Sequence, residues 1–138
     1  MTIIADSSFI YALYNAKDSL HQRAKNFAQV SGDETTIIPD VILPEVGYLF
    51  LRDLGYAGVQ QFMASLVQMP AKLVSLERVD IVRAYEISLT YSDNKFDLVD
   101  CCIMAMSERM VVTKVATFDR RDFSVFRPRH CDYLELLP

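Results

Sequence analysis

Short β-prone runs alternate with amphipathic helical runs along the whole chain, and this alternation leaves few ways to fold it. The first run, Thr2-Ile-Ile-Ala5, stops at Asp6. Helices are predicted over 7–15, beginning at Asp6, Ser7 or Ser8, and over 20–30, where Ala24, Phe27 and Ala28 share one face. A Gly32-Asp33-Glu34 turn leads into a strand over 35–38 closed by Pro39. Asp40 reads as the N-cap of a helix to about Leu54, with Pro44 near its first turn and Gly55 ending it. The pattern continues with a helix over 56–68, a strand over 73–76, a helix over 77–90 and a polar loop over 91–96. A helix over 97–110 and a strand over 115–118 follow, and 133–136 has the composition of a fifth strand. Helical crossovers between such strands make them parallel and leave helices on both faces. The expected fold class is therefore α/β: three α/β/α layers around a central, mainly parallel sheet of four to five strands.

At 138 residues, with four Gly, five Pro and no linker-like stretch, residues 1–138 are expected to form a single domain. No apolar run approaches the ~20 residues that span a bilayer. The opening Met1-Thr-Ile-Ile-Ala-Asp-Ser lacks the basic and apolar regions of a signal peptide. Cys101, Cys102 and Cys131 are odd in number and without framework spacing, so reduced thiols in a cytoplasmic protein are expected. The net charge of −4 argues against a protein that grips nucleic acid by electrostatics alone. It does not argue against a site in which carboxylates gather around cations, because the metal reverses the local sign.

Candidate carboxylates lie where the topology predicts a site. Ligands of open α/β sheets bind beyond the carboxyl ends of the strands, and both Asp6 and Asp119 end a strand, with Asp122 close behind Asp119. From Leu98 to Met106 only Asp100 is charged, so that helix is expected to be buried nearly all round. An ionised carboxylate in such surroundings needs compensation, and the helix N-terminus supplies only about 0.3–1 kcal/mol per charge. Asp97, three residues earlier, serves equally well as a helix cap or as a further ligand. Glu45 adds another acid among Val41, Ile42, Leu43 and Val46; a first-turn Glu favoured by the helix dipole is the plain alternative. Hard oxygen donors without His or Cys suit Mg²⁺ or Mn²⁺ rather than zinc.

Four segments carry a family likeness: Ile-Ala-Asp-Ser-Ser-Phe-Ile-Tyr-Ala-Leu at 4–13, Leu-Pro-Glu-Val-Gly-Tyr-Leu-Phe at 43–50, Phe-Asp-Leu-Val-Asp-Cys at 96–101, and Ala-Thr-Phe-Asp-Arg-Arg-Asp-Phe at 116–123. In this order and spacing they resemble the PIN-domain family, and within it the VapC-type toxin ribonucleases of toxin–antitoxin pairs. The resemblance implies a PIN-like domain in which Asp6, Glu45, Asp100 and Asp119 are catalytic and bind the metal, with Asp97 an auxiliary ligand. It also implies that Ser7 and Thr117 support the ligands through their hydroxyls. Asp122 stands where some relatives carry the last acid, with Asp119 favoured here. Cleavage of single-stranded RNA with Mg²⁺ or Mn²⁺, a homodimer and a cognate antitoxin are the implied activity and partners. The alternatives are a PIN nuclease outside any toxin–antitoxin pair and a non-catalytic PIN-like module that binds RNA or protein.

Arg120, Arg121, Arg127 and Arg129, with His130, surround Phe123 and Phe126 and are candidates for RNA binding. The plain alternative is a solvated segment with two core phenylalanines. Core packing can absorb most of Tyr48-Leu-Phe-Leu51 with Tyr56, Val59, Phe62, Met63 and Leu66; any stripe left exposed would suit a second copy or an antitoxin helix. A phosphatase or phospho-acceptor on a similar sheet is disfavoured. Ser8 stands where a second Asp is wanted, and Lys114 precedes the late strand instead of following it.

Overall fold

The computed structural model describes residues 1–32 and 34–138; Asp33, in the expected 32–34 turn, lies outside them. In chain order the elements are β1 (Thr2–Ala5), α1 (Ser7–Tyr14), α2 (His21–Val30), β2 (Thr35–Pro39), α3 (Leu43–Gln68), β3 (Lys72–Val74), α4 (Arg78–Thr90), α5 (Leu98–Arg109), β4 (Lys114–Ala116), α6 (Arg121–Val125) and β5 (Glu135–Leu137). The five strands form one sheet in the order β3-β2-β1-β4-β5, and every pairing is parallel. The α/β sheet with flanking helices is the architecture expected from the alternation.

Strand composition explains the order. Ile3, Ile4 and Ala5 of β1 and Val115 and Ala116 of β4 are fully buried, as strands covered on both faces must be. Leu73 on the edge strand β3 is exposed. α1 packs against α2 and α3, while α4 packs against α5. α5 is buried continuously over 101–107, including both adjacent cysteines, but its first turn is not: Leu98 is exposed and Asp100 half-buried, because this end of the helix lies at the sheet edge. Among the described residues, no helix is long and apolar enough to cross a membrane.

Several boundaries differ from expectation for identifiable reasons. Asp40 does not cap the long helix; it opens a short 3₁₀ turn, and its Oδ1 accepts the Leu76 amide at 2.9 Å beyond the end of β3. α3 starts at Leu43 instead. Gly55 does break α3, with φ 71° and ψ −172°, a conformation essentially reserved for glycine. β4 stops at Ala116 and not at Phe118, because the Phe118 amide turns to the Ser8 hydroxyl at 2.9 Å. β3 and β5 are shifted and shorter than expected, and α6 was not foreseen.

Candidate metal centre

β1 and β4 are parallel neighbours, so the residues that follow them emerge at the same edge of the sheet. Asp6 continues that ladder by donating its amide to the Ala116 carbonyl at 3.1 Å, then caps α1. Its Oδ1 accepts the Phe9 amide at 3.0 Å and the Ser8 hydroxyl at 2.8 Å, and its Oδ2 faces the Thr117 hydroxyl. Only 3% of Asp6 is exposed. Burial raises its pKa to about 6, against the lowering effect of these hydrogen bonds, and the charge of Asp119 adds to the rise. Asp119 itself is exposed, with its amide 3.0 Å from Thr117 Oγ1. Thr117 has one hydroxyl proton and two acceptors within reach, Asp6 Oδ2 and the Asp119 carbonyl at 2.9 Å. When that proton goes to Asp6 Oδ2, Thr117 links Asp6 to the Asp119 amide that its oxygen accepts.

The first turn of α5 supplies the second half of the cluster. Asp97 is the N-cap: its Oδ1 accepts the amides of Val99 at 2.7 Å and Asp100 at 3.4 Å, so its capping reading holds. Burial pushes the Asp100 carboxyl up to about 9, reinforced by a hydrogen bond to Asp122 and by the charges of Asp97, Asp122 and Asp6. Asp122 is also buried; it receives the Asp97 amide at 3.3 Å and pairs with Arg121 at 3.1 Å. Glu45 stands apart and exposed, fixed by the Ser7 hydroxyl at 2.8 Å. Ser7 lies beside Asp6 in sequence, so this bond links α3 to the same corner.

No protein-family model matches the chain. Ribonuclease VapC26 of Mycobacterium tuberculosis is 25% identical over 126 residues, covering 91% of this chain and 93% of its own. The crystal structure of Mycobacterium tuberculosis VapC20, a sarcin–ricin loop cleaving toxin, superposes with a TM-score of 0.80 at 22% identity, over 94% of this chain and 98% of that one. The chain resembles the VapC ribonucleases and shares their fold. VapBC2 from Rickettsia felis, solved bound to a DNA fragment from its promoter, gives a TM-score of 0.71 at 12% identity, over 99% and 97% of the two chains.

Within this VapC-like fold, the charge of Asp119 acts on Asp6, those of Asp97, Asp122 and Asp6 act on Asp100, and Glu45 is tied to the same edge through Ser7. Among the described residues, no three acidic, His or Cys side chains stand at the spacing of one ion's ligands. The donor chemistry nevertheless fits a hard divalent cation: every group offered is an oxygen, and Asp100 holds a proton far above the usual carboxylate range. A cavity of about 680 Å³ lies elsewhere, between the sheet and α1–α2. Ile3, Ile10, Leu13, Phe27 and Ile38 line it together with His21, Lys25 and Glu34, and none of the five aspartates does.

The basic segment after Asp119 divides. Arg121 pairs with Asp122, Arg127 turns back to the Ser124 and Phe126 carbonyls, and Arg129 reaches Glu86 at 3.4 Å. Phe123 and Phe126 are buried, so they serve the core and not a base stack. Ser8, which links Asp6 to the chain after β4, was not among the expected site residues. Its signal was available: a hydroxyl two residues beyond an N-cap acid, at a strand–helix joint.

Proposed function

We propose that the chain is a metal-dependent endoribonuclease that cleaves phosphodiester bonds of single-stranded RNA, and that it is the toxin of a toxin–antitoxin pair. The observation that carries this reading is Asp100: a half-buried carboxyl in the first turn of a helix that is buried from Cys101 on, acted on by the charges of Asp97, Asp122 and Asp6 at the carboxyl edge of a parallel sheet. The likeness to Ribonuclease VapC26 and to VapC20 supports it. Asp6, Asp100 and Asp119 would hold Mg²⁺ or Mn²⁺, with Glu45 and Asp97 completing or adjusting the set. Bound there, the cation supplies Lewis-acid charge that makes water nucleophilic near neutral pH and stabilises the leaving oxygen.

The chain's own part is positioning. Ser8 and Thr117 hold the Asp6 carboxylate and the Asp119 backbone in fixed relation. Ser7 holds Glu45, and Asp97 fixes the start of α5 beneath Asp100. As a toxin it would work as a homodimer restrained by an antitoxin; Tyr48, Leu51, Tyr56 and Met63, exposed on α3, offer apolar area for such partners.

The test is incubation of purified, antitoxin-free protein with labelled single-stranded RNA, double-stranded RNA and DNA, with Mg²⁺, Mn²⁺ or chelator. The expected result is metal-dependent cleavage of single-stranded RNA. RNA binding without cleavage under every metal condition would favour a non-catalytic module.

A further inference from the structure

α2 does not close onto the sheet. Ala24, Ala28 and Ser31 share one of its faces at helical spacing, all three are small, and only Ala24 is fully buried. Ala28 and Ser31 line the cavity of about 680 Å³ that remains between this helix, α1 and the sheet. Its floor is buried and apolar: Ile3, Ile38 and Ala116 from the strands, Phe9 and Ile10 from α1. Lys25, Thr35 and Pro70, which reach solvent, mark its mouth. Side chains around an unfilled space forgo dispersion contacts, and an apolar body entering it restores them. The volume falls within the roughly 300–1,000 Å³ of small-molecule sites, which join apolar walls to a few polar groups in the same way.

The polar groups of the lining set the sign of what the mouth accepts. Glu34 is the one acid of the described lining, and both its oxygens take the Lys114 ammonium at 3.2 Å. Lys25, by contrast, pairs with no carboxylate among the described residues. His21 places its Nδ1 2.8 Å from the Ala12 carbonyl, which fixes the ring in the lining, and the hydroxyls of Ser31 and Thr35 add donors. An apolar interior with a cation at its entrance fits a molecule of matching polarity. We propose that this cavity binds a small anionic amphiphile, with its apolar chain between α1 and the sheet and a carboxylate-type head at Lys25. The site holds none of the aspartates and stands whatever reaction they perform.

The test is a calorimetric titration with decanoate, and with decyltrimethylammonium as a cation of the same chain length. The proteins compared are wild type, Lys25→Gln, Lys17→Gln as a control of equal charge outside the lining, and Ala28→Phe and Ala71→Leu, which fill the cavity from two walls. Lys25 and Lys17 are exposed, so the charge comparison involves no repacking, and thermal melts confirm folding of every variant. The proposal predicts saturable binding of decanoate, one molecule per chain. Binding should weaken roughly fivefold in Lys25→Gln and stay at the wild-type value in Lys17→Gln. It should weaken at least about tenfold in either folded cavity-filling variant, and decyltrimethylammonium should bind at least about tenfold more weakly than decanoate. Wild-type protein that takes up no decanoate, or takes it up without saturation as a surface adsorbs detergent, overturns the site. Undiminished binding in a folded Ala28→Phe or Ala71→Leu overturns its location. Equal affinity for the two head groups, or an equal fall in both lysine variants, overturns the assignment of the head to Lys25.

Discussion

The Ser8 hydroxyl donates to Asp6 Oδ1 at 2.8 Å, and its oxygen receives the Phe118 amide at 2.9 Å, so this side chain ties the start of α1 to the chain leaving β4. Replacing it by alanine leaves the Phe118 amide without its acceptor and removes a donor from a buried carboxylate. Ser8→Ala is expected to lower the unfolding free energy by about 1–3 kcal/mol, measured by urea denaturation. An unchanged midpoint would mean that water serves that amide as well as Ser8 does.

The carboxylate cluster makes stability depend on pH in a defined direction. Asp100 and Asp6 have folded-state pKa values of about 9 and about 6, both above the ordinary 3.8. The folded protein therefore holds these protons more firmly than the unfolded chain does. Their contribution is fully present below pH 3.8 and is lost as pH rises, through about 6 for Asp6 and about 9 for Asp100. Metal-free protein should melt higher at pH 6 than at pH 8.5. Asp100→Asn should flatten that dependence and, in chelator at pH 8, raise Tm by roughly 3–5 °C. A melt in chelator that rises with pH between 6 and 8.5 would contradict the placement of these groups.

Divalent cation should reverse the same penalty. With Mn²⁺ at a hundred times its Kd, the stabilisation expected is about 2.7 kcal/mol, visible as a rise of several degrees in Tm. The rise should shrink at acidic pH, where cation and proton compete for the same oxygens, and be smallest in Asp100→Asn. Equal stabilisation of wild type and variant would place the cation elsewhere.

Gly55 is a test of fold without chemistry. Its φ of 71° and ψ of −172° leave open space around an added Cβ, so the cost of a substitution lies in the backbone alone. Gly55→Ala should destabilise by about 1–3 kcal/mol, read by denaturation, while cleavage per folded molecule stays at the wild-type rate.

What was legible in the sequence is what depends on period and position. Ile3-Ile4-Ala5 and Val115-Ala116 announce buried parallel strands, and the acids that follow each run emerge at one edge of the sheet. The single charge in the apolar run from Leu98 to Met106 identified Asp100 for the same reason that its carboxyl is now held protonated. Contacts between distant segments left no periodic trace. Asp40 has the look of a cap, yet an amide 36 positions away takes its carboxylate. Ser8 is an ordinary first-turn serine until β4 is brought beside β1, and Arg23 is an ordinary surface arginine until Phe118 and Pro138 reach it. Arg127 and Arg129 looked like Arg120 in the sequence; the turn after α6 directs them to backbone carbonyls and to Glu86 instead.

The most direct measurement is the rate at which wild type and Asp100→Asn cleave the same labelled single-stranded RNA in saturating Mn²⁺, both shown folded by their melts. Asparagine keeps the size of the side chain and removes the charge that would hold the cation. The account predicts a fall of more than about 100-fold, with chelator abolishing the wild-type rate. A variant that cleaves within a few-fold of wild type would contradict it, and the half-buried carboxyl on α5 would then be structural.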